Sequence, residues 1–192
     1  DVGFLVRDTV RVNAVLQLGE AETLSVDGSL LHDRPPLLLD ADYTGNGAPF
    51  RILAMVVHLR SLTDIEDPAS GDRVRRKRLE QAGSIARLVQ DIQRALPSAR
   101  LVVLGDFNAF EFTDGYVDVV GLIRGRVDPD ASLLSGPDLV DPDLTDEVER
   151  MPQEERYSFV FRGSAQALDH ALTSRNMARW VRGAAYGRGN AD

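Results

Sequence analysis

Apolar and polar positions along this chain alternate, run together and break in an order that predicts a mixed α/β architecture. Val2 to Val6 and Val10 to Leu18 read as two strands, with Arg7 and Asp8 in a hairpin connection. A polar, turn-rich stretch follows from Gly19 to Ser29. Leu30 to Ala41 sets an apolar run beside Pro35 and Pro36, which suits an edge strand entered from a loop. Arg51 to Leu59, RILAMVVHL, is nearly continuous and rich in β-branched residues, the mark of a central buried strand. Leu79, Ala82, Ile85, Ala86, Val89, Ile92 and Leu96 keep the three-or-four spacing of one buried helix face. That spacing predicts a helix from Asp72 to Leu96, stopped by Pro97.

The next run, Leu101 to Phe110 (LVVLGDFNAF), is a buried strand broken by Gly105, with Asp106 and Asn108 leaving its end. In extended backbone these two side chains lie on one side. Strand ends are where α/β proteins gather ligand and catalytic groups. Gly, Asp and Asn also favour turns for local reasons, so spacing alone leaves a turn and a site equally open. Thr113 or Asp114 suits the N-cap of a short helix over Tyr116 to Leu122. Asp128 to Arg150 is acidic and proline-containing, a long surface loop with a short helical turn. Tyr157 to Phe161 and Ala167 to Thr173 read as paired strands joined by a turn at Gly163.

Three strand-borne polar groups change the picture. His58 ends the RILAMVVHL strand and would approach Asp106 and Asn108 if the two strands were neighbours. Asp169 sits inside an apolar strand, where a carboxylate is costly unless it is paired or holds a metal. Arg34 and Arg60 are candidate phosphate contacts, although Arg34 equally suits a surface ion pair. Arg73, Arg75, Arg76, Lys77 and Arg78 crowd the start of the predicted helix, against its dipole. They read as a solvated face, with a phosphate-facing rim as the alternative.

Composition narrows this further. The 192 residues suit one domain, 1–192, and 43% hydrophobic with 27% charged content is ordinary for a globular protein. The absence of cysteine excludes disulfides and zinc–thiolate sites. A net charge of −8 argues against a protein that coats polyanions through a basic surface. It leaves room for an enzyme that gathers carboxylates around a cation and holds phosphate through it. No apolar run approaches the length that spans a bilayer, and the first residues read as a strand rather than a signal peptide, as though the sequence begins inside a domain. No repeat, P-loop, dinucleotide fingerprint or metalloprotease motif is present.

Taken in order, DVGFLVR, DRPPL, VVHLRS, RKRLEQA, VVLGDFNAF, YSFVF with ALDHALTS, and the closing GNAD resemble the endonuclease/exonuclease/phosphatase superfamily. The bacterial extracellular nucleases of that group are the nearest in pattern. The resemblance implies a DNase I-like four-layer α/β/β/α sandwich, here incomplete at both ends. It implies that His58 contacts the scissile phosphate, and that Asp106 and Asn108 hold the attacking water, the phosphate and a metal. It further implies that Asp169 orients a second histidine and that Tyr157 lies near the site. The cofactor implied is Mg2+, or Mn2+ or Ca2+ in its place, the substrate DNA or RNA, and the location extracellular or periplasmic.

The pattern departs from the family in three places. The metal-binding glutamate precedes, and the Ser-Asp-His segment follows, the part of the pattern present, so the 192 residues alone are expected to be severely impaired. Val57 stands where many of these nucleases have asparagine beside the histidine. His170, despite following Asp169, falls in the earlier aspartate strand and is expected to be structural. A lipid or sugar-phosphate hydrolase of the same fold, or a non-catalytic binding module, are the competing expectations.

Overall fold

The computed structural model describes residues 2–45 and 47–189. Its framework is a six-stranded sheet built from β1 (Val10–Gln17), β2 (Leu37–Tyr43), β3 (Phe50–His58), β4 (Leu101–Asp106), β5 (Thr145–Asp146) and, later in the chain, β8 (Asp169–Thr173). The order across the sheet is β1-β2-β3-β4-β8-β5. Only β3 and β4 run parallel; every other neighbour pair is antiparallel. A parallel pair needs a long crossover, and α1 (Gly71–Ala95) supplies it.

Period-two alternation in β3 decides which face the helix covers. Leu53, Met55 and Val57 are buried, and so are their neighbours Leu101 and Val103 on β4 and Leu172 on β8. Ala82, Ile85, Ala86 and Val89 of α1 close over them, with α2 (Val119–Arg124) packed behind. On the opposite face Ile52, Ala54, Val56, Val102, Leu104 and Ala171 are half-buried. The described residues thus supply one sheet and one helical layer of the expected four-layer sandwich. β3 is central, as its composition predicts, but only one of its faces is fully buried. Among the described residues no helix is long and apolar enough to cross a membrane.

Several expectations change. Residues 2–6 form no strand, so the predicted first hairpin is absent. The proline-flanked segment yields β2, the second strand rather than the edge, because β1 pairs along its outer side. The short helix starts three residues later than predicted, capped by Asp118, whose carboxylate accepts from the Gly121 amide at 2.8 Å. Asp114 turns inward instead, accepting from the amides of Tyr116 and Val117. Ala167 to Thr173 does not pair with Tyr157 to Phe161. The chain makes a separate hairpin from β6 (Phe159–Phe161) and β7 (Ser164–Gln166) and only then enters the sheet as β8. Arg162 and Gly163 turn that hairpin with φ of 50° and 83°, the positive pair a two-residue turn of matching twist requires.

The basic run at the start of α1 is not a solvated face. Lys77 and Arg78 are buried, and Lys77 meets the Asp33 carboxylate at 2.9 Å. Arg73 pairs with Asp27, while Arg75 pairs with Asp72 and also donates to the Ile65 carbonyl. Two of the five cations, Lys77 and Arg78, turn inward, where Asp33 and Asp114 of neighbouring loops pair with them. Of the GNAD match, residues 190–192 lie outside the described residues.

Candidate active site

The ends of three adjacent strands make the site. The register sets His58 of β3 beside Asp106 of β4, and Asp106 beside Asp169 of β8. Since Val57, Gly105 and His170 occupy the helix-covered face, their successors and predecessors in the pleat occupy the other. His58, Asp106 and Asp169 therefore form a row across the open face. His58 Nε2 lies 3.4 Å from an Asp106 carboxylate oxygen. The ladder continues past the strands, with the Leu59 amide donating to the Asp106 carbonyl and the Phe107 amide to the Leu168 carbonyl, both at 2.9 Å.

The turn after Asp106 is fixed from three sides. The Asn108 amide donates to the Asp106 carboxylate at 2.8 Å, and its side-chain Nδ2 donates to the Leu59 carbonyl at 3.0 Å. Asn108 has φ of 48°, a left-handed conformation that asparagine tolerates better than most residues. Arg78 reaches up from α1 and donates one guanidinium nitrogen to the carbonyls of both Asn108, at 2.8 Å, and Arg60, at 2.6 Å. Its other terminal nitrogen meets the buried Asp114 carboxylate at 2.8 Å. One buried cation therefore ties the His58 strand end to the Asp106–Asn108 turn. Phe107, between the two polar residues, points into the core and meets the His170 ring edge-on at 5.3 Å.

His170 is structural, as expected, and its partners are specific. Its Nδ1 lies 2.8 Å from Asp146 and its Nε2 lies 2.9 Å from the Ala109 carbonyl. A carbonyl and a carboxylate both accept, so these partners favour the imidazolium, with hydrogen on both ring nitrogens. Burial by itself pulls this histidine's pKa down; the Asp146 hydrogen bond and charge outweigh it and hold the value above the ordinary range.

Electrostatics at the row are set by burial and by a neighbouring carboxylate. Burial pushes the Asp106 carboxyl above the usual carboxylate range and the Asp169 charge adds to the push, while the Asn108 amide, His58 and Arg34 oppose it. Among the described residues neither Asp106 nor Asp169 forms an ion pair with lysine or arginine. No group of three or more His, Cys, Asp or Glu side chains is placed to hold a metal among them either.

Two cavities open at this row and share Asn108. The smaller, about 120 Å³, is lined by Arg34, His58, Arg60 and Asn108. The larger, about 530 Å³, is lined by Asp106, Asn108, Asp169, Ser158, Phe159 and Tyr186 among others. Of the residues singled out in the sequence, the structure brings together His58, Asp106, Asn108, Asp169, Arg34 and Arg60. Arg60 also donates to the Thr63 carbonyl at 2.9 Å. Tyr157 lines neither cavity; its ring lies under the Arg188 guanidinium, 4.0 Å from the centroid.

Three contributors were not visible in the pattern. Ser158 accepts through its hydroxyl from the amides of Leu168 and Asp169, at 3.1 and 3.2 Å, and so fixes the entry to β8. Tyr186 donates its hydroxyl to the Asp169 carbonyl at 2.5 Å. It comes from a polar, glycine-rich stretch with no periodicity to announce it. Arg78 was hidden inside a charge run. Its one available signal was its place among the helix positions that keep the buried spacing.

No protein-family model and no curated protein matches this sequence. Solved structures do. The human Nocturnin catalytic domain is similar with a TM-score of 0.51 at 14% identity, over 88% of this chain and 50% of that one. Truncated Caenorhabditis elegans TDP2 gives 0.53 at 15% identity, over 88% and 55%. A humanized D. rerio TDP2 gives 0.51 at 16% identity, over 86% and 52%. The chain thus spans about half the length of these structures. The strand order, the βαβ crossover and these likenesses agree on one architecture: the chain has the fold shared by these structures, the DNase I-like architecture expected from its sequence.

Proposed function

We propose that this chain carries the phosphate-binding and water-positioning part of a divalent-cation-dependent phosphodiesterase that acts on nucleic acid. The observation that supports it most is the row His58–Asp106–Asp169, held in register on one open sheet face with Asn108 beside it. A phosphodiester is anionic and repels hydroxide, so its hydrolysis needs positive charge and an activated water.

The donor set fits a hard cation. Asp106 and Asp169 offer carboxylate oxygens on neighbouring strands, and the Asn108 amide oxygen is nearby. Mg2+ is commonly held by one or two carboxylates while keeping several waters. When bound, such a cation neutralises phosphate charge and makes a water more acidic. The chain's own groups do the rest. Asn108 gives one amide hydrogen to Leu59 and has a second for a phosphoryl oxygen. Arg34 and Arg60 line the same cavity as His58 and balance phosphate charge there. Asp106 orients the attacking water, whose oxygen forms the new P–O bond while its proton passes to bulk water; the ester P–O bond breaks and the leaving oxygen takes a proton from bulk water. His58 donates a ring N–H hydrogen bond to the phosphate oxygens that gain charge in that step. Asp169 keeps the local field negative, favouring an incoming cation.

The test is hydrolysis with added Mg2+ by a longer chain that also carries the glutamate and Ser-Asp-His segments the family pattern calls for, comparing plasmid DNA and oligonucleotides with sphingomyelin and inositol phosphates. Cleavage of the nucleic acids that EDTA stops and His58→Ala slows by about a hundredfold is expected. Turnover of only the small phosphoesters would move the reading to a lipid or sugar-phosphate hydrolase. Absence of hydrolysis, or hydrolysis indifferent to His58→Ala, would sink the catalytic assignment.

A further inference from the structure

The larger cavity has one wall unlike the rest. Its floor is polar, made by Asp106, Asn108 and Asp169, but the β6–β7 hairpin stands at its side and contributes Phe159. Residues two apart on a strand share a face, so Phe159 and Phe161 project together, opposite Gln166 and Ser164 of the paired strand. Both rings are exposed, at 44% and 50%. They are near-parallel, with an interplanar angle of 20° and centroids 6.4 Å apart. Arg162, at the hairpin tip, places its guanidinium 5.2 Å from the Phe161 centroid.

Among the described residues no core packing accounts for this arrangement. A hairpin of three-residue strands gains by turning phenylalanines inward, yet these two rings face solvent and belong to no core cluster. Arg162 also adopts a positive φ at the tip, where asparagine or glycine would be unstrained. Backbone strain of this kind concentrates at functional positions. The features together are an exposed aromatic pair, a cation over its outer ring, and continuity with the cavity that holds Asp106, Asn108 and Asp169.

We infer that Phe159 and Phe161 form a stacking platform for the bases of a single-stranded nucleic acid whose backbone enters the Asp106–Asp169 cavity. This rests on the phosphodiesterase reading of that cavity. Each exposed ring presents a flat apolar face that accepts any base. Arg162 adds a charge that a phosphate between stacked bases would meet. A base paired within a duplex has its faces already stacked and cannot use the platform. A sugar phosphate has no aromatic face to offer. The hairpin therefore selects among phosphodiesters by what flanks the phosphate.

Binding without cleavage tests this. Fluorescence anisotropy in EDTA, using the full chain, compares a labelled oligothymidylate with an abasic oligonucleotide of equal length and with a duplex. Equal phosphate number cancels the repulsion by the acidic cavity. The oligothymidylate is expected to bind about tenfold or more tighter than the abasic strand. The duplex is expected to bind no better than the abasic strand. The F159A/F161A double variant should lose the difference and F159Y/F161Y should restore it, with circular dichroism verifying that both fold. Equal binding of abasic and base-bearing strands, retention of the preference in F159A/F161A, tighter binding of the duplex, or no binding at all would each overturn the platform. Hydrolysis is read separately with Mg2+. Cleavage without a base preference removes the platform and leaves the phosphodiesterase; a base preference without cleavage does the reverse.

Discussion

At the scale of single residues, the site is held by two buried cations, Arg78 and His170, that touch its backbone rather than its cavity. His170 grips the Ala109 carbonyl, one residue past Asn108, from a position fully enclosed with Asp146. Its raised pKa gives this contact a pH signature. A histidine charged more readily in the folded state than in the unfolded chain stabilises the fold fully below the unfolded value of about 6.5. That stabilisation is lost as pH rises through the folded-state value. His170→Gln removes the charge and leaves Asp146 buried without its cation, which costs roughly 3–5 kcal/mol at acidic pH. Thermal unfolding from about pH 6 to pH 9 should show the native protein losing stability faster than the variant, so that the gap narrows. Parallel profiles would mean that the ring is neutral in the fold. His58, Asp106 and Asn108 were legible in the sequence as polar groups leaving strand ends and Asp169 as a polar group inside an apolar strand, although spacing alone left Asp106 and Asn108 evenly open between a turn and a site. The structural place of His170 was legible too, but the buried ion pairs of Arg78 and His170 were not, because burial of a charge depends on a partner far away in sequence, here Asp114 and Asp146.

At the scale of elements, long periodic segments were readable and short ones were not. α1 and β3 fall within a residue or so of the boundaries their spacing predicts, since many positions vote on one period. The β6–β7 hairpin and β8 merged in the sequence into one strand pair, because a three-residue strand carries too little pattern to show where pairing changes partner. Gly105 was legible as a break, but its reason lies in the neighbouring strand. It has φ of 127°, and a Cβ added there would sit 2.2 Å from the Val57 carbonyl oxygen. That contact is backbone against backbone, so no rotamer relieves it. Gly105→Ala is expected to lower stability by more than about 2 kcal/mol and to displace Asp106 from His58. Urea denaturation measures the first effect, and the His58 ring proton shifts in NMR report the second. A variant as stable as the parent, with unshifted His58 resonances, would show that β4 adapts without moving the site.

At the scale of the whole molecule, charge and shape pull in different directions, and together they constrain how a polyanion could bind. The net charge of −8 repels nucleic acid at long range. Four of the six arginines of α1 are consumed in pairs, with Asp27, Asp72, Asp114 and Glu22. Around the cavities the available cations are few: Arg34 on one side, beside an Arg60 shared with Asp64 at 4.0 Å, and Arg162 at the hairpin tip. Affinity built on an extended basic surface would fall steeply with salt, because each neutralised phosphate releases counterions. Affinity built on ring stacking and a handful of arginines would not. With about three phosphates neutralised on a single strand, the slope of log K against log salt is expected to be no steeper than about −2. Anisotropy titrations of the oligothymidylate across a fourfold range of salt measure it directly. A slope near −6 would require a basic track that the described surface does not provide, and would shift the source of affinity away from the hairpin. A shallow slope joined to a base preference would instead show an acidic protein holding nucleic acid by its bases, leaving phosphate recognition to the row at the strand ends.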